Sequence, residues 1–168
     1  MVYFAIISYI FLYLCSYLVL AKSSSPTIVR FNPTTFVTTT LSNDGSAQTL
    51  SVDEYNKAVY WANYVQDSGK HRVMLSYYSG GATMDLNISY AGEIKITQDL
   101  FILYVLDIDN ARIDKYKKAS LEKIGNITTL AEGKDLIMGF GKYMYMPVGG
   151  NQCIMFSLFF HDISQKIK

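Results

Sequence analysis

Between Leu50 and Tyr90 the chain carries two hydrophobic periods in immediate succession. Val52, Tyr55, Val59, Ala62 and Val65 recur at helical spacing, with Ala58 beside them, while Asp53, Glu54, Lys57 and Asn63 fall mostly off that stripe. Ser51 followed by Glu54 fits a capping box, Asp53 with Lys57 an i,i+4 ion pair, and Gly69 a left-handed stop. The spacing predicts one amphipathic helix. The period then drops to two. Val73, Leu75 and Tyr77 alternate with Met74, Ser76 and Tyr78. Ala82, Met84, Leu86, Ile88 and Tyr90 alternate with Thr83, Asp85, Asn87 and Ser89. Gly80-Gly81 separates the two runs and permits positive φ, so a tight hairpin is expected.

The same reading extends over the rest of the chain. Thr35 to Leu41 has high β propensity, and Asn43-Asp44-Gly45 is a turn signal. Glu93 to Thr97 alternates, and Leu100 to Ile108 is a continuous apolar run of the length of a strand buried on both faces. Asn110 is placed to cap a second helix through Ile124, with Ile113, Tyr116 and Ser120 or Leu121 on one face. Asn126 to Ala131, Asp135 to Met146 and Gln152 to Phe160 read as strands, with a bend at Gly139 and Gly141, a turn at Pro147 to Gly150 and a polar, frayed tail from His161. The expected fold class is α+β, an antiparallel β-sheet packed on one main amphipathic helix with a second, shorter helix. No long internal repeat stands out.

Val52 to Ala58, VDEYNKA, resembles the helix signature of the cystatin superfamily, whose members wrap a curved antiparallel sheet around one long helix. The order of helix, strand, glycine turn and strand is similar to theirs. In inhibitory members the hairpin carries Gln-x-Val-x-Gly and a later loop carries Pro-Trp, which with an N-terminal glycine enter the cleft of papain-like proteases. Here the hairpin reads Ser76-Tyr77-Tyr78-Ser79-Gly80-Gly81, Trp61 lies in the expected helix, and Pro147-Val148-Gly149-Gly150 stands where the second loop would be. The resemblance implies a papain-like cysteine protease as partner. The contact residues would be Tyr77, Tyr78, Ser79, Gly80 and Gly81, with Pro147, Val148, Gly149 and Gly150 beside them.

Composition narrows the picture. The chain has 168 residues and a formal net charge of +1, which suits one ordinary domain and argues against nucleic acid as a partner. Met1 to Ala21 is apolar and carries no charge. It reads as a cleaved signal peptide or, in the alternative, as an uncleaved membrane anchor, since it is long enough to span. The expected organisation is therefore residues 1–21 as leader or anchor, 22–49 as a Ser/Thr-rich leader and edge strand, and 50–168 as a single α+β domain. With Cys15 inside the apolar run, a processed chain keeps Cys153 alone, read as a small buried hydrophobe.

Candidate chemistry is sparse. Asn87-Ile88-Ser89 and Asn126-Ile127-Thr128 are N-glycosylation sequons, relevant to a secreted eukaryotic chain. Asp107-Ile108-Asp109-Asn110 lacks the glycine and closing glutamate of a calcium loop and reads as a strand-end turn with a helix cap. His71 and His161 sit in no metal spacing, and no nucleophile–base arrangement stands out, so no catalytic residue, cofactor or metal is expected. Two functions stay open: a secreted cystatin-like binding protein, including a cysteine-protease inhibitor, and a membrane- or envelope-anchored structural or interaction protein. A contact role for the Tyr78–Gly81 hairpin tip is expected, and the protein is not expected to be an enzyme.

Overall fold

The computed structural model describes residues 18–21, 27–43, 47–80, 82–129, 133, 135–138, 143–148, 152–157 and 164–167, and among them there are strands and turns but no helix. Consecutive strands pair antiparallel in simple meanders. The strands β1 (Leu18–Ala21), β2 (Ile28–Phe31) and β3 (Thr38–Ser42) form a three-stranded sheet. β4 (Ala47–Asp53), β5 (Ala58–Val65), β6 (Lys70–Tyr77) and β7 (Met84–Tyr90) form a four-stranded one in that order. β8 (Ile94–Gln98), β9 (Ile102–Asp107), β10 (Arg112–Lys117) and β11 (Lys123–Thr128) form the next. β12 (Ile137–Met138), β13 (Tyr143–Val148), β14 (Gln152–Ser157) and β15 (Ser164–Ile167) form the last. The chain divides into two compact units, Met1–Ser89 and Tyr90–Lys168.

In the first unit the β1–β3 sheet stacks on the β4–β7 sheet. Val19, Ile28 and Leu41 from one meet Val59, Trp61 and Tyr78 from the other. Polar bonds tie the two layers as well, with Ser76 Oγ donating to the Leu41 carbonyl at 3.1 Å in the interior and Thr83 Oγ1 to Ser42 Oγ at 2.9 Å where it is half-buried. In the second unit Tyr104, Leu106 and Ile113 pack against Leu136, Met144 and Met146. Gly133 lies so close to Met146 that a side chain there would collide with it, and would press on Leu106.

The expected main helix is not formed, which corrects the α+β assignment and removes the arrangement on which the cystatin resemblance rested. Every residue from Ala58 to Asn63 is buried, so both faces of β5 are covered. A run that is apolar on both faces contains the helical spacing along with every other period, and valine, tyrosine and tryptophan favour the strand. Asp53 decides the break. Its carboxylate accepts the Asn56 backbone N–H at 3.0 Å and the Asn56 side-chain amide at 2.8 Å. Lys57 then turns through φ +51°, a left-handed conformation that no helix interior admits. Ser51 and Glu54 form no capping box. Ser51 is buried in β4, while Glu54 accepts the Tyr78 hydroxyl at 2.9 Å and pairs with Lys57, also at 2.9 Å.

The second expected helix, Asn110 to Ile124, is the hairpin of β10 and β11. Ala111 and Leu121 at φ +47° and +58° mark its left-handed turns. Ile113 faces the second unit's core while Arg112 and Asp114 lie on the opposite sheet face, a period of two hidden among the lysines. Other expectations were met in kind: β7, β8, β9 and β14 fall where alternation or a continuous apolar run predicted strands, and β9 is buried from Leu103 to Asp107. Asp135 to Met146 is interrupted rather than continuous, with β12 ending at Met138 and β13 starting at Tyr143. Gly139 and Gly141 lie outside the described residues. Residues 1–17 of the expected leader also lie outside them, whereas Leu18–Ala21 form β1 and Val19 enters the first unit's core. No helix of the described residues is long and apolar enough to cross a membrane.

Candidate functional site: clamped turns that display aromatic side chains

Three turns share one construction. At each, an Asp or Asn closing a strand folds its side chain back onto the N–H groups of the turn, and an aromatic residue projects into solvent. In the β4–β5 turn Asp53 is the clamp and Tyr55 is 77% exposed. In the β8–β9 turn Asp99 Oδ1 accepts the backbone N–H groups of Phe101 and Ile102 at 2.8 and 2.7 Å, and Phe101 is 73% exposed with Leu100 beside it. In the β2–β3 turn Asn32 Oδ1 accepts from Thr34 and Thr35 at 2.8 and 3.1 Å, and Phe36 is 78% exposed at φ +57°. Asx turns of this kind fix the loop backbone without tertiary packing, so each ring is held out on a rigid base.

In the first unit this construction is compound. Ala58 pairs with Tyr77, which places the β4–β5 turn beside the end of β6. The Tyr78 N–H donates to the Lys57 carbonyl at 2.7 Å and its hydroxyl to Glu54, so the β4–β5 and β6–β7 turns are bonded into one surface. Tyr55, Tyr77 and Ser79 are exposed on it, and Gly80 turns there at φ +80° with open space around it. The second unit repeats the join: Lys118 N–H donates to the Phe101 carbonyl at 2.9 Å, and Lys118 Nζ donates to the Asp99 carbonyl and Gln98 Oε1, both at 2.8 Å.

The residues expected at a contact site divide accordingly. Tyr77, Ser79 and Gly80 lie at this composite turn; Gly81 is outside the described residues. Tyr78 is buried, its ring in the core with the Arg30 guanidinium 5.5 Å above it, so it holds the turn and presents nothing to a partner. Pro147 and Val148 are strand residues, paired with Cys153 and Gln152 rather than forming a loop, and Gly149 and Gly150 lie outside the described residues. Asn87 and Asn126 are both exposed. Tyr55 was missed because its spacing suited a helix stripe; the signal that would have found it is Asp53-x-x-Asn56, a turn former on either side of a ring.

A second polar cluster is internal to the second unit. Asp114 is 1% exposed, and its carboxylate is met by Tyr90 Oη at 2.8 Å, Lys123 Nζ at 2.7 Å and Arg112. Arg112 Nε lies 2.9 Å from Asp114 Oδ1 without hydrogen-bond alignment, so that contact is Coulombic, while Nη2 donates to Oδ2 at 3.3 Å. Tyr116 donates to the Tyr90 oxygen at 2.8 Å. Every partner is a fixed strand residue and the cluster has the marks of a structural network. Among the described residues no three His, Cys, Asp or Glu side chains are grouped to hold a metal.

Burial pushes the Tyr60 phenol up from 10.0 to about 12, with the nearby Asp53 and Tyr77 adding to the shift. Burial raises Tyr90 and Tyr104 further, helped by Tyr116 and Asp114 at the first and by Asp99 at the second. A raised phenol pKa means that the fold holds the neutral form. Its contribution is complete below the unfolded value of 10.0 and is lost as pH rises through the folded value. Stability should therefore be flat from neutral pH to about pH 10 and fall from there towards about pH 12, checked by urea unfolding across that range. Stability unchanged up to the upper limit would contradict the buried state of these rings.

The chain matches no protein-family model and no curated protein. It is similar in fold to several solved structures. One is a chain of a nidogen/laminin complex, at 16% identity and a TM-score of 0.64 over 86% of this chain and 57% of that one. Another is the β-propeller domain of the Trilobed protease from Pyrococcus furiosus, at 10% identity and a TM-score of 0.60 over 89% of this chain and 52% of that one. A third is BamB from Moraxella catarrhalis, at 15% identity and a TM-score of 0.64 over 90% of this chain and 44% of that one. The chain thus spans about half the length of the structures it matches. These likenesses overturn the cystatin-like reading and with it protease inhibition and a papain-like protease as partner: consecutive three- and four-stranded antiparallel meanders, stacked face to face within each unit, make this an all-β fold of the β-propeller kind.

Proposed function

We propose that this chain is a non-enzymatic, propeller-type interaction module working outside the cytosol, and that the composite turn of the first unit binds a protein partner. The observation that carries the reading is Tyr55, fully displayed on a turn clamped by Asp53 and braced by Tyr78. Aromatic side chains give large contact area with few rotatable bonds and are enriched at interface centres. An exposed ring on a rigid base loses little entropy when it is covered. The neutral composition of the turn, where Glu54 and Lys57 pair with each other, suits a partner patch that is apolar rather than charged. The nidogen/laminin complex, as its name states, is a protein–protein assembly, which agrees with such a role. The uncharged apolar run of residues 1–17, which precedes β1, supports placement in the secretory route, as a leader or an anchor.

The test compares two ends of one strand. A photo-crosslinking residue is placed at Tyr55, and in a second protein at Tyr64, an exposed ring at the other end of β5. Both proteins are produced in cells of the source organism. The expected result is a specific adduct from position 55, absent from position 64 and lost in Tyr77→Ser. Tyr55→Ser and Tyr77→Ser should each change stability by no more than about 0.5 kcal/mol, since neither ring is core. Equal adducts from both positions, or none from position 55, would sink the proposal.

A further inference from the structure

We infer that Asn87 and Asn126 are N-glycan acceptors and that their glycans cover the outer edges of the β4–β7 and β8–β11 sheets. Each lies on the last strand of its meander: Asn87 on β7, at the end of the order β4-β5-β6-β7, and Asn126 on β11, at the end of the order β11-β10-β9-β8. Among the described residues, each of these strands therefore has one edge without a strand partner in its sheet. Such an edge offers a row of backbone donors and acceptors to any other chain, and proteins protect it with bulges, charge or cover. Both asparagines are exposed while the residue after each turns inward. Ile88 is buried, and Ile127 packs against the second unit's core. The side chains of Ser89 and Thr128, which complete the two sequons, are exposed alongside their asparagines.

Asn87 carries a further mark. It sits at φ +58° inside β7, and its own N–H is taken by Asp85 Oδ1 at 2.8 Å. The backbone turns left-handed there, and the donor is satisfied locally. A glycan at this point extends the same protection outwards as a bulky hydrophilic cap. In the reaction the side-chain amide nitrogen forms a bond to the anomeric carbon of a lipid-linked oligosaccharyl diphosphate. The bond from that carbon to the diphosphate oxygen breaks, the lipid diphosphate leaves with the electron pair, and the amide gives up one proton.

The inference rests on the secretory placement proposed above, and the experiment separates the two. The full chain is expressed in a eukaryotic secretory host with its own N-terminus and, in parallel, behind a foreign cleavable signal peptide. Intact mass is read before and after peptide N-glycosidase. Ser89→Ala and Thr128→Ala remove one acceptor each while leaving the asparagines in place; Asn87→Gln is avoided because of its left-handed backbone. Two glycans are expected, one lost in each variant and both in the double variant. Glycans behind the foreign signal alone would keep the acceptor assignment and overturn the placement. A mass without glycan behind the foreign signal would overturn the assignment. The covering role predicts that the double variant sediments as larger species at concentrations where the glycosylated protein does not. Identical sedimentation would overturn that role.

Discussion

Replacing Trp61 with alanine should lower the stability of the first unit by about 3–5 kcal/mol. Trp61 is completely buried, in the middle of β5, and is held in the stack of Val59 and Tyr78 against Val19, Ile28 and Leu41. It pairs across strands with Leu50 on one side and Met74 on the other, so removing the indole opens a cavity between the two stacked sheets. One feature moderates the loss. The Trp61 Nε1 is buried without a hydrogen-bond partner, and alanine removes that unpaired donor along with the ring. Trp61→Phe should therefore retain most of the stability, since it keeps the aromatic bulk and discards the unpaired N–H. The measurement is urea unfolding followed by far-UV circular dichroism, because the chain contains a single tryptophan and the variants lose its fluorescence. If Trp61→Ala shifts the midpoint no further than an exposed substitution such as Tyr64→Ala, the core assigned here is wrong.

The strands were legible where one period dominated. β7, with Leu86, Ile88 and Tyr90 buried and the residues between them less so, is a plain alternation, and the sequence reads it correctly. β9 is apolar throughout and was also read, because its length suits a strand and nothing in it suggests a cap. β5 is built in the same way, yet it reads as a helix. Tyr55 and Val65 extend its apolar run to the length of a helix, and Ser51 and Glu54 mimic a cap. The clamping carboxylate of Asp53 is also the kind of residue that opens a helix. The difference lies in Asn56 and Lys57, whose turn geometry depends on hydrogen bonds that spacing cannot show.

The repeat was hidden for a related reason. The two central meanders agree in register at matching points: with Tyr60 and Tyr104 set at the same place in β5 and β9, Arg72 and Arg112 fall at the same place in β6 and β10. The Tyr78-to-Lys57 bond likewise answers the Lys118-to-Phe101 bond. Blades of this kind recur at about 40–45 residues. Few of the matched positions hold the same residue type, because a blade needs only burial on the faces and turn formers at the ends. Of the candidate site, Tyr77, Ser79 and Gly80 were legible from the glycine turn, while Tyr55 and Phe101 are functional candidates only once both turns are seen to be clamped.

Asp114→Ala should cost the second unit about 3 kcal/mol, at the lower end of the range for breaking a buried ion pair. The carboxylate is the common acceptor of the network, drawing in Arg112, Lys123 and Tyr90 at once. Without it the Tyr90 hydroxyl loses its acceptor, and two cations face each other with nothing between them. The loss stays below the upper end of the range because Arg112 and Lys123 are each more than a third exposed and can turn towards water. Arg112 also keeps a weaker ion pair, at 3.6 Å, with Asp107. The network and the core lie on opposite faces of β10, so Ile113 and its neighbours should remain packed and the variant should fold. Asp114→Asn separates charge from hydrogen bonding. It retains an acceptor for Tyr90 but offers no counter-charge to the cations, and should fall between the wild type and alanine. The check is urea unfolding of all three proteins at low and high salt. The wild-type stability should depend little on salt, because Asp114 is shielded from solvent ions. If Asp114→Ala unfolds with the wild type, the charge network contributes nothing; if Asp114→Leu restores the wild-type midpoint, the cost lies in packing rather than in charge.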